Sequence, residues 1–181
     1  SKKSVGLIFS TRGAKLKFYA SILKPLLFCL DAERAHHLAM LSLRLGLYPR
    51  RFKSPDPVLK SSLWGLEFPT PIGMAAGFDK NAEVFDALLN LGFGFVETGS
   101  VTPLAQPGNV KPRLFRLLED QGVINRLGFN NLGLDAYTRN IKKWMDQNRD
   151  GIVGANIGKN KNTEDSISDF VSGVLALANY A

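Results

Sequence analysis

The spacing of apolar residues predicts two short helices over residues 17–48. Apolar side chains recur along residues 18–30 and form a wide stripe, which Pro25 kinks or divides because proline has no backbone N–H to donate. Asp31 is a favourable N-cap residue and predicts the start of a second helix that runs to about Leu47. We therefore expect a small helical unit in this part of the chain.

A different alternation begins after a linker that contains several prolines, and we place a domain boundary near residue 55. Buried strands are predicted at Ile72–Ala76, Phe93–Thr98 and Ile152–Ile157, and helices at Asn81–Leu91, Leu132–Gln147 and Asp165–Ala178. Leu114–Leu118 and Gly122–Asn125 are predicted to pair as a small antiparallel excursion, and a fourth strand is predicted to begin at Tyr180. Repeated strand–helix units predict an α/β fold with parallel strands and helices packed outside them.

The positive charge is confined to the first part of the chain. Residues 1–53 hold eleven Lys and Arg against two acidic residues, whereas residues 54–181 hold twelve against fourteen. A basic segment of this kind suits an anionic membrane surface, or it is simply solvated. Residues 1–16 carry no predicted element and are treated as a basic tail consistent with disorder. No nucleic-acid partner is expected, because aromatic residues are not interleaved with the basic ones in an RNA-binding motif.

Several familiar kinds of site find no support in the sequence. Cys29 is the single cysteine, so no intrachain disulfide and no cysteine-based metal site is expected. The adjacent His36 and His37 face different sides of a helix, so no zinc site and no other metal is predicted. The glycine patterns of P-loops and Rossmann folds are both absent, and no apolar stretch approaches the roughly 18 residues that span a bilayer.

The first predicted strand ends in residues that suit a flat ligand. In α/β folds of this kind, function collects at the carboxyl ends of the strands. Ala75, Ala76 and Gly77 are small, so a planar ring could lie directly on the main chain there. Asp79 and Lys80 then supply opposite charges at the entrance to the helix. The alternative is a tight turn in which Asp79 caps the helix and Lys80 is solvated.

Polar residues follow the other strand ends as well. The hydroxyls of Thr98, Ser100 and Thr102 could bind a polar ligand or could stabilise a turn. The segment Asn125–Asn131 holds three asparagines and one arginine, and side-chain amides match the donor and acceptor edge of a pyrimidine-like ring. Asn156 adds a further amide, just before an exposed Gly-Lys turn.

His36 has two interpretations. It shares a helical stripe with Met40, Leu43 and Leu47, which is typical of a histidine packed in a core. An imidazole at the mouth of an apolar helix groove could instead hydrogen-bond a lipophilic carbonyl compound. His37 points to another side of the same helix, toward charged residues.

Four blocks in order resemble the class 2 dihydroorotate dehydrogenases. These blocks are residues 73–80 (GMAAGFDK), 103–116 (PLAQPGNVKPRLFR), 122–133 (GVINRLGFNNLG) and 156–161 (NIGKNK). Phe18-Tyr19 and Asp31–His36 also resemble the N-terminal helices of the quinone-using class. The resemblance covers the chain from about residue 17 to its end.

The resemblance implies an FMN-binding (β/α)8 TIM barrel. Its first three to four units would occupy residues 55–181, and residues 17–54 would form a small N-terminal helical domain that associates with the membrane. The implied activity is oxidation of dihydroorotate to orotate in pyrimidine biosynthesis, with electrons passing to ubiquinone or menaquinone. The implied location is peripheral, on the cytoplasmic face of the bacterial inner membrane or at the mitochondrial inner membrane.

The resemblance also assigns individual residues. Those implied to contact FMN are Ala75, Ala76, Gly77, Phe78, Asp79, Ser100 and Asn156. Those implied to bind the substrate are Lys80, Asn125, Arg126, Leu127, Gly128 and Phe129. His36 and Arg116 would lie along a quinone tunnel, although a cross-strand charge pair is an alternative for Arg116.

The catalytic base implied by the resemblance is a serine in the loop after the fourth strand, and residues 1–181 do not include that motif. We therefore expect these residues to act together with the C-terminal half of the barrel, and not alone. Two alternatives stay open at this point. One is a non-catalytic module that binds a membrane surface or a partner protein, and the other is a different FMN barrel enzyme with another pyrimidine substrate.

Overall fold

The computed structural model describes residues 19–49, 55–147 and 149–180, so the predicted basic tail lies outside the described residues. A π-helical turn at Tyr19–Leu23 leads into α1 (Lys24–Phe28), and α2 follows at Ala32–Arg44. The predicted cap at Asp31 is confirmed, because its carboxylate accepts from Glu33 N at 3.0 Å and Arg34 N at 3.2 Å. No helix within the described ranges is both long and apolar enough to cross a bilayer.

The boundaries of these helices differ from the predicted ones for local reasons. Pro25 lies in the first turn of α1, where its missing N–H has no intrahelical partner to lose. The division in the helical segment therefore falls before Pro25. Helix α2 ends at Arg44, three residues before Leu47, and Gly46 then takes a positive φ of 73°.

A two-stranded hairpin that the apolar pattern did not predict precedes the parallel sheet. Its strands are β1 (Ser61–Leu63) and β2 (Leu66–Phe68), which pair antiparallel with Leu63 opposite Leu66. The two turn residues, Trp64 and Gly65, both have positive φ, as a two-residue hairpin turn of type I′ requires. Tryptophan in the first turn position is not a usual hairpin signal, so the turn is not evident in the sequence.

The predicted α/β alternation is confirmed. Strands β3 (Gly73–Met74), β4 (Phe95–Val101) and a later third strand form a parallel sheet, and α3 (Phe85–Leu91) connects the first two. The antiparallel excursion is present as β5 (Leu114–Leu117) and β6 (Gly122–Asn125). Helix α4 (Leu134–Met145), strand β7 (Val153–Ile157) and α5 (Ser166–Leu177) complete the described elements. The sheet order is β3-β4-β7, and Val96 pairs with both Met74 and Val153.

Several other predicted boundaries were wrong. Strand β4 was predicted over Phe93–Thr98 and runs over Phe95–Val101. Strand β3 ends at Met74, two residues before Ala76, because the chain leaves the sheet there. Helix α3 begins at Phe85 instead of Asn81, since a wide turn held by the buried Asp79 carboxylate occupies the residues between. Tyr180 is not part of a strand, and Ala181 lies outside the described residues.

The core lies between the sheet and the helices that pack on it. Its least exposed side chains, each at most 1% exposed, are Val84, Leu88, Val96, Val101 and Tyr137. The hydroxyl of Tyr137 pairs with Thr98 Oγ1 on β4, so this buried polar group is satisfied. Helix α4 is therefore fixed to the sheet by a hydrogen bond as well as by apolar packing.

A buried ion pair fixes α2 to the loop before β5. Glu33 and Arg113 are only 6% and 7% exposed, and Arg113 Nη2 lies 2.7 Å from Glu33 Oε1. The second nitrogen, Nη1, donates to the carbonyls of Pro107 at 2.6 Å and Asn109 at 2.9 Å. The Arg113 guanidinium holds the pKa of the Glu33 carboxyl below its ordinary value.

We expect Glu33→Gln to lower the free energy of unfolding by about 3 kcal/mol, because the buried guanidinium loses its charged partner. Urea denaturation at pH 7 measures the change. Glu119→Gln, in the exposed β5–β6 turn, removes the same charge and should change it by less than about 0.5 kcal/mol. Equal effects of the two substitutions would contradict the role given to the ion pair.

The same pair carries a pH dependence of definite sign. The folded-state pKa of Glu33 is lowered, so its stabilising contribution is complete above the ordinary value of 4.5. It is lost as the pH falls through the lowered folded value. The stability difference between the parent protein and Glu33→Gln should therefore shrink on acidification below pH 4.5.

Candidate active site

A cleft of about 630 Å³ opens at the carboxyl ends of β3 and β4, beneath α2 and the loop that follows β6. It brings together most of the residues that the sequence predicted. Those that line it are His36, Ala75, Ala76, Gly77, Phe78, Lys80, Ser100, Asn125, Arg126, Leu127, Gly128 and Phe129. Glu33, His37, Asn109 and Leu114 also line it, and sequence reasoning did not predict a role there for any of them.

The floor of the cleft is main chain. Beyond β3, the residues Ala75–Gly77 leave the sheet, and the N–H of Gly77 donates to the carbonyl of Gly99 at 2.7 Å. Gly77 has φ of 106°, and a Cβ added there would meet no atom within 4 Å. The backbone therefore faces open space at this point, which leaves a surface on which a planar ring can lie.

Asp79 does not line the cleft. Its side chain is fully buried, and its carboxylate accepts from Glu83 N at 2.8 Å and Val84 N at 2.7 Å. Burial raises the pKa of this carboxyl, while the backbone hydrogen bonds oppose the rise. The structure thus places Asp79 as the local cap that the sequence left as an alternative, and a contact with FMN stays a prediction.

Ser100 and Asn156 form a polar pair at the ends of β4 and β7. The Ser100 hydroxyl lines the cleft and donates to Asn156 Oδ1. Asn156 lies behind it, and its Nδ2 donates to Glu97 Oε1 at 2.9 Å. Because both polar groups of the amide are engaged, Asn156 fixes the orientation of the Ser100 side chain.

Lys80 presents a half-buried ammonium group to the cleft. Burial lowers the pKa of Lys80, and the nearby Arg113 guanidinium lowers it further, while Glu33 and Asp79 act in the opposite direction. Among residues 19–49, 55–147 and 149–180, no group forms a hydrogen bond or an ion pair with this ammonium. A partly desolvated cation of this kind favours an anionic ligand.

The segment Asn125–Phe129 forms one wall, and Asn109, which also lines the cleft, holds the main chain of that segment. Asn109 N donates to the carbonyl of Leu127 at 3.0 Å, and Asn109 Nδ2 donates to that of Arg126 at 2.8 Å. The guanidinium of Arg126 turns away to the carbonyl of Pro112, at 3.0 Å. The wall therefore presents the exposed amide of Asn125 and the ring of Phe129 to the cleft.

His36 lies at the opposite wall, on the inner side of α2. Its imidazole contacts the ring of Phe78 edge to face, with 5.0 Å between centroids. Burial lowers the pKa of His36 to about 4, and the charges of Lys80 and His37 contribute. The imidazole is therefore neutral at physiological pH and keeps one donor and one acceptor.

Arg116 lies outside the cleft, on the hairpin beside α1. Its guanidinium covers the ring of Phe28 at 4.6 Å and donates to the carbonyls of Leu30 at 2.7 Å and Leu27 at 3.3 Å. These contacts replace the cross-strand charge pair considered as an alternative. Arg116 thus satisfies carbonyls at the end of α1 and fixes that helix to the hairpin.

No group of three or more His, Cys, Asp or Glu residues in the part of the chain that the structure describes could hold a metal ion. The polar side chains that line the cleft instead include an ammonium, a hydroxyl, amides and imidazoles, together with the Glu33 carboxylate and the Arg126 guanidinium. Such groups bind an organic ligand with several donors and acceptors.

A family model described as dihydroorotate dehydrogenase matches residues 58–181. The chain belongs to this family. Dihydroorotate dehydrogenase (quinone) of Azorhizobium caulinodans is 53% identical over 160 residues, which cover 88% of this chain and 45% of that protein. The corresponding Rhodospirillum rubrum protein is 54% identical over 154 residues, covering 85% and 41%.

Solved dihydroorotate dehydrogenases of Eimeria tenella agree with this assignment. The structure in complex with ferulenol has a TM-score of 0.77 at 44% identity and covers 82% of this chain and 41% of that one. The ligand-free structure has a TM-score of 0.78 at 44% identity, with 83% and 43% covered. The family and these neighbours imply an α/β TIM-barrel fold, and the chain spans less than half the length of the relatives it matches.

We expect the imidazole of His36 to stay neutral down to about pH 4, and a proton NMR titration of its ring signals measures this directly. The folded-state pKa lies below the ordinary value of 6.5, so the corresponding stability is complete above pH 6.5 and is lost as the pH falls toward 4. His36→Gln should remove that part of the acid destabilisation. A midpoint above pH 6 would contradict the burial assigned to this side chain.

Proposed function

We propose that this chain forms the flavin, substrate and quinone-facing parts of a quinone-dependent dihydroorotate dehydrogenase. This enzyme would oxidise dihydroorotate to orotate in pyrimidine biosynthesis, with FMN as hydride acceptor and a membrane quinone as final electron acceptor. The names of the similar proteins support the activity. The observation that carries the proposal is the half-buried Lys80 ammonium, without a partner in the described residues, between a main-chain floor and an amide-bearing wall.

The floor of the cleft fits a flavin. Ala75, Ala76 and Gly77 carry no side chain that would hold a planar ring away from the backbone, and the Ser100 hydroxyl adds a polar contact at the next strand end. Asn156 would act through Ser100, whose side chain it orients. FMN supplies the hydride acceptor when bound.

Lys80 and Asn125 suit the two sides of the proposed substrate. Dihydroorotate carries a carboxylate, which the Lys80 ammonium would attract more strongly in this partly desolvated cleft than in water. The amide of Asn125 offers a donor and an acceptor to the imide edge of the ring. We assign the residues of this chain to binding and orientation, and none of them to the base that removes the proton.

The helices near the cleft would admit the quinone and contact the membrane. Several large apolar side chains of this region are exposed: Ile22, Leu23, Leu26, Phe28, Leu30, Leu38, Leu41, Leu45 and Leu47. The neutral imidazole of His36 lies on the path from these helices to Lys80, and Arg116 fixes α1 beside it. We propose that this face contacts the cytoplasmic side of a bacterial inner membrane, as peripheral apolar and basic surfaces do.

We expect Lys80→Met to weaken orotate binding by at least about tenfold, because the carboxylate loses its cationic partner. Equilibrium titration with orotate measures the affinity, and the visible spectrum of the same sample measures the flavin content, which should stay within about a fifth of the parent value. Lys142→Met, on the exposed side of α4, is the matched control and should leave both quantities unchanged.

Two results would contradict the proposed activity. One is a purified protein that shows no flavin absorbance and no dihydroorotate-dependent reduction of a quinone. The other is an equal loss of orotate affinity in Lys80→Met and Lys142→Met. That result would show that the Lys80 ammonium does not bind the carboxylate of the ligand. Bound flavin would in turn exclude a module that only binds a membrane or a partner.

We expect Leu26→Glu to reduce binding to vesicles that contain anionic lipid, because the substitution places a charge on the proposed membrane face. Cosedimentation with such vesicles measures the bound fraction, which should fall several-fold. Leu63→Glu is a matched control on the β1–β2 hairpin, where the leucine is 50% exposed. Comparable binding by the two variants would be evidence against α1 as the membrane contact.

A further inference from the structure

A chain of side-chain amides links the loop after β7 to the wall formed by Asn125–Phe129. Its members are Gln106, which follows β4, and Asn160, which follows β7. Neither residue lines the cleft or has a role in the function proposed above. Their contacts nevertheless end on the main chain of the substrate wall.

The amide of Gln106 is held in a single orientation. Its Oε1 accepts from Asn160 Nδ2 at 2.9 Å and from Lys161 N at 3.0 Å, so the oxygen must face these two donors. Its Nε2 then donates to the carbonyls of Gly128 and Phe129, each at 3.2 Å. A reversed amide would place donors against donors and acceptors against acceptors.

Asn160 is held in the same manner and is itself only 7% exposed. Its Oδ1 accepts from Leu104 N at 2.9 Å, and its Nδ2 donates to Leu104 O at 2.8 Å as well as to Gln106. The backbone N–H of Asn160 donates to Asp169 Oδ2 at 2.8 Å, and Asp169 belongs to the first turn of α5. The wall is therefore connected to a regular helix through three successive polar contacts.

The wall needs such support because of its backbone conformation. Gly128 has φ of 73° and Phe129 has φ of 51°, and the second value is unfavourable for a bulky residue without compensating contacts. The Phe129 carbonyl accepts from Gln106 Nε2 and also from Asn131 Nδ2 at 2.7 Å. These bonds hold the segment in its strained shape before any ligand arrives, which lowers the ordering cost of binding.

We propose that Gln106 and Asn160 are positioning residues that set the affinity for the pyrimidine substrate by fixing Asn125–Phe129. This inference rests on the proposed function, because that function makes the segment the substrate wall. Gln106 acts only through the carbonyls of Gly128 and Phe129 and transfers no proton. Its amide N–H groups are the part of the side chain that matters.

Gln106→Glu tests this directly, because the carboxylate keeps the acceptor for Asn160 and Lys161 but faces two carbonyls without a proton to donate. We expect KM for dihydroorotate and Kd for orotate to rise about tenfold, with kcat at saturation within about twofold and flavin content unchanged. Hydrogen exchange followed by mass spectrometry should be faster over residues 125–131. Gln147→Glu, an exposed residue after α4, should change none of these values.

Gln106→Met provides a second variant that removes the donors without adding a charge, and it should move KM and exchange in the same direction. Wild-type values of KM and exchange in either folded variant would overturn the proposal. Failure of both variants to fold with flavin would also overturn it, because Gln106 would then be a requirement of the fold. If the parent protein does not bind orotate, the proposed function fails, whereas faster exchange in Gln106→Glu would still demonstrate the link.

Discussion

The ion pair between Glu33 and Arg113 is the contact on which the arrangement of the cleft depends. It joins a helix near the start of the chain to a loop eighty residues later, and both groups are removed from water. Such a pair is tolerated only when the remaining donors are satisfied, and Arg113 meets this condition through the carbonyls of Pro107 and Asn109. The wall that carries His36 is positioned by this contact.

The ion pair also shapes the electrostatics of the cleft. The Arg113 charge lowers the pKa of Lys80, whereas Glu33 raises it, so the pair leaves the cleft lysine influenced by both signs. Burial is the largest cause that lowers the pKa of Lys80 below its ordinary value, and burial likewise keeps the imidazole of His36 neutral at physiological pH. The Glu33–Arg113 ion pair therefore contributes both to the shape of the cleft and to the electrostatic environment of Lys80.

Much of the fold followed from local patterns, and the errors have local causes. The alternation of apolar strands and helices, the Asp31 cap and the β5–β6 pairing each depend on a few neighbouring residues, and all were predictable. The early end of β3 was not, because it depends on the Gly77–Gly99 contact between two strand ends. The β1–β2 hairpin was not predicted, because its turn places Trp64 at a positive φ and tryptophan is not a residue that indicates a turn.

The difference between local patterns and distant contacts also explains which residues of the site were predictable. The small residues after β3 and the amide of Asn125 stand out in the sequence, and the structure brings them together in one cleft. Arg113, Asn109 and Gln106 look like ordinary surface residues in the sequence. Asn109 and Gln106 bond backbone carbonyls about twenty residues away, and Arg113 pairs with the carboxylate of Glu33 eighty residues away, so no spacing rule connects them to their partners. The burial of Asp79 was not evident in the sequence, because it depends on the wide turn before α3, whose N–H groups donate to its carboxylate.

The main-chain floor of the cleft has a consequence for inhibitor resistance. For a compound that gains its contacts from the backbone of Ala75–Gly77, a single substitution changes little, because an altered side chain still leaves the same peptide groups in place. At Gly77 the positive φ restricts the choice further, since other residues rarely adopt that conformation. A compound that binds mainly through the side chains of His36 or Leu114 would lose affinity when one of these residues is substituted.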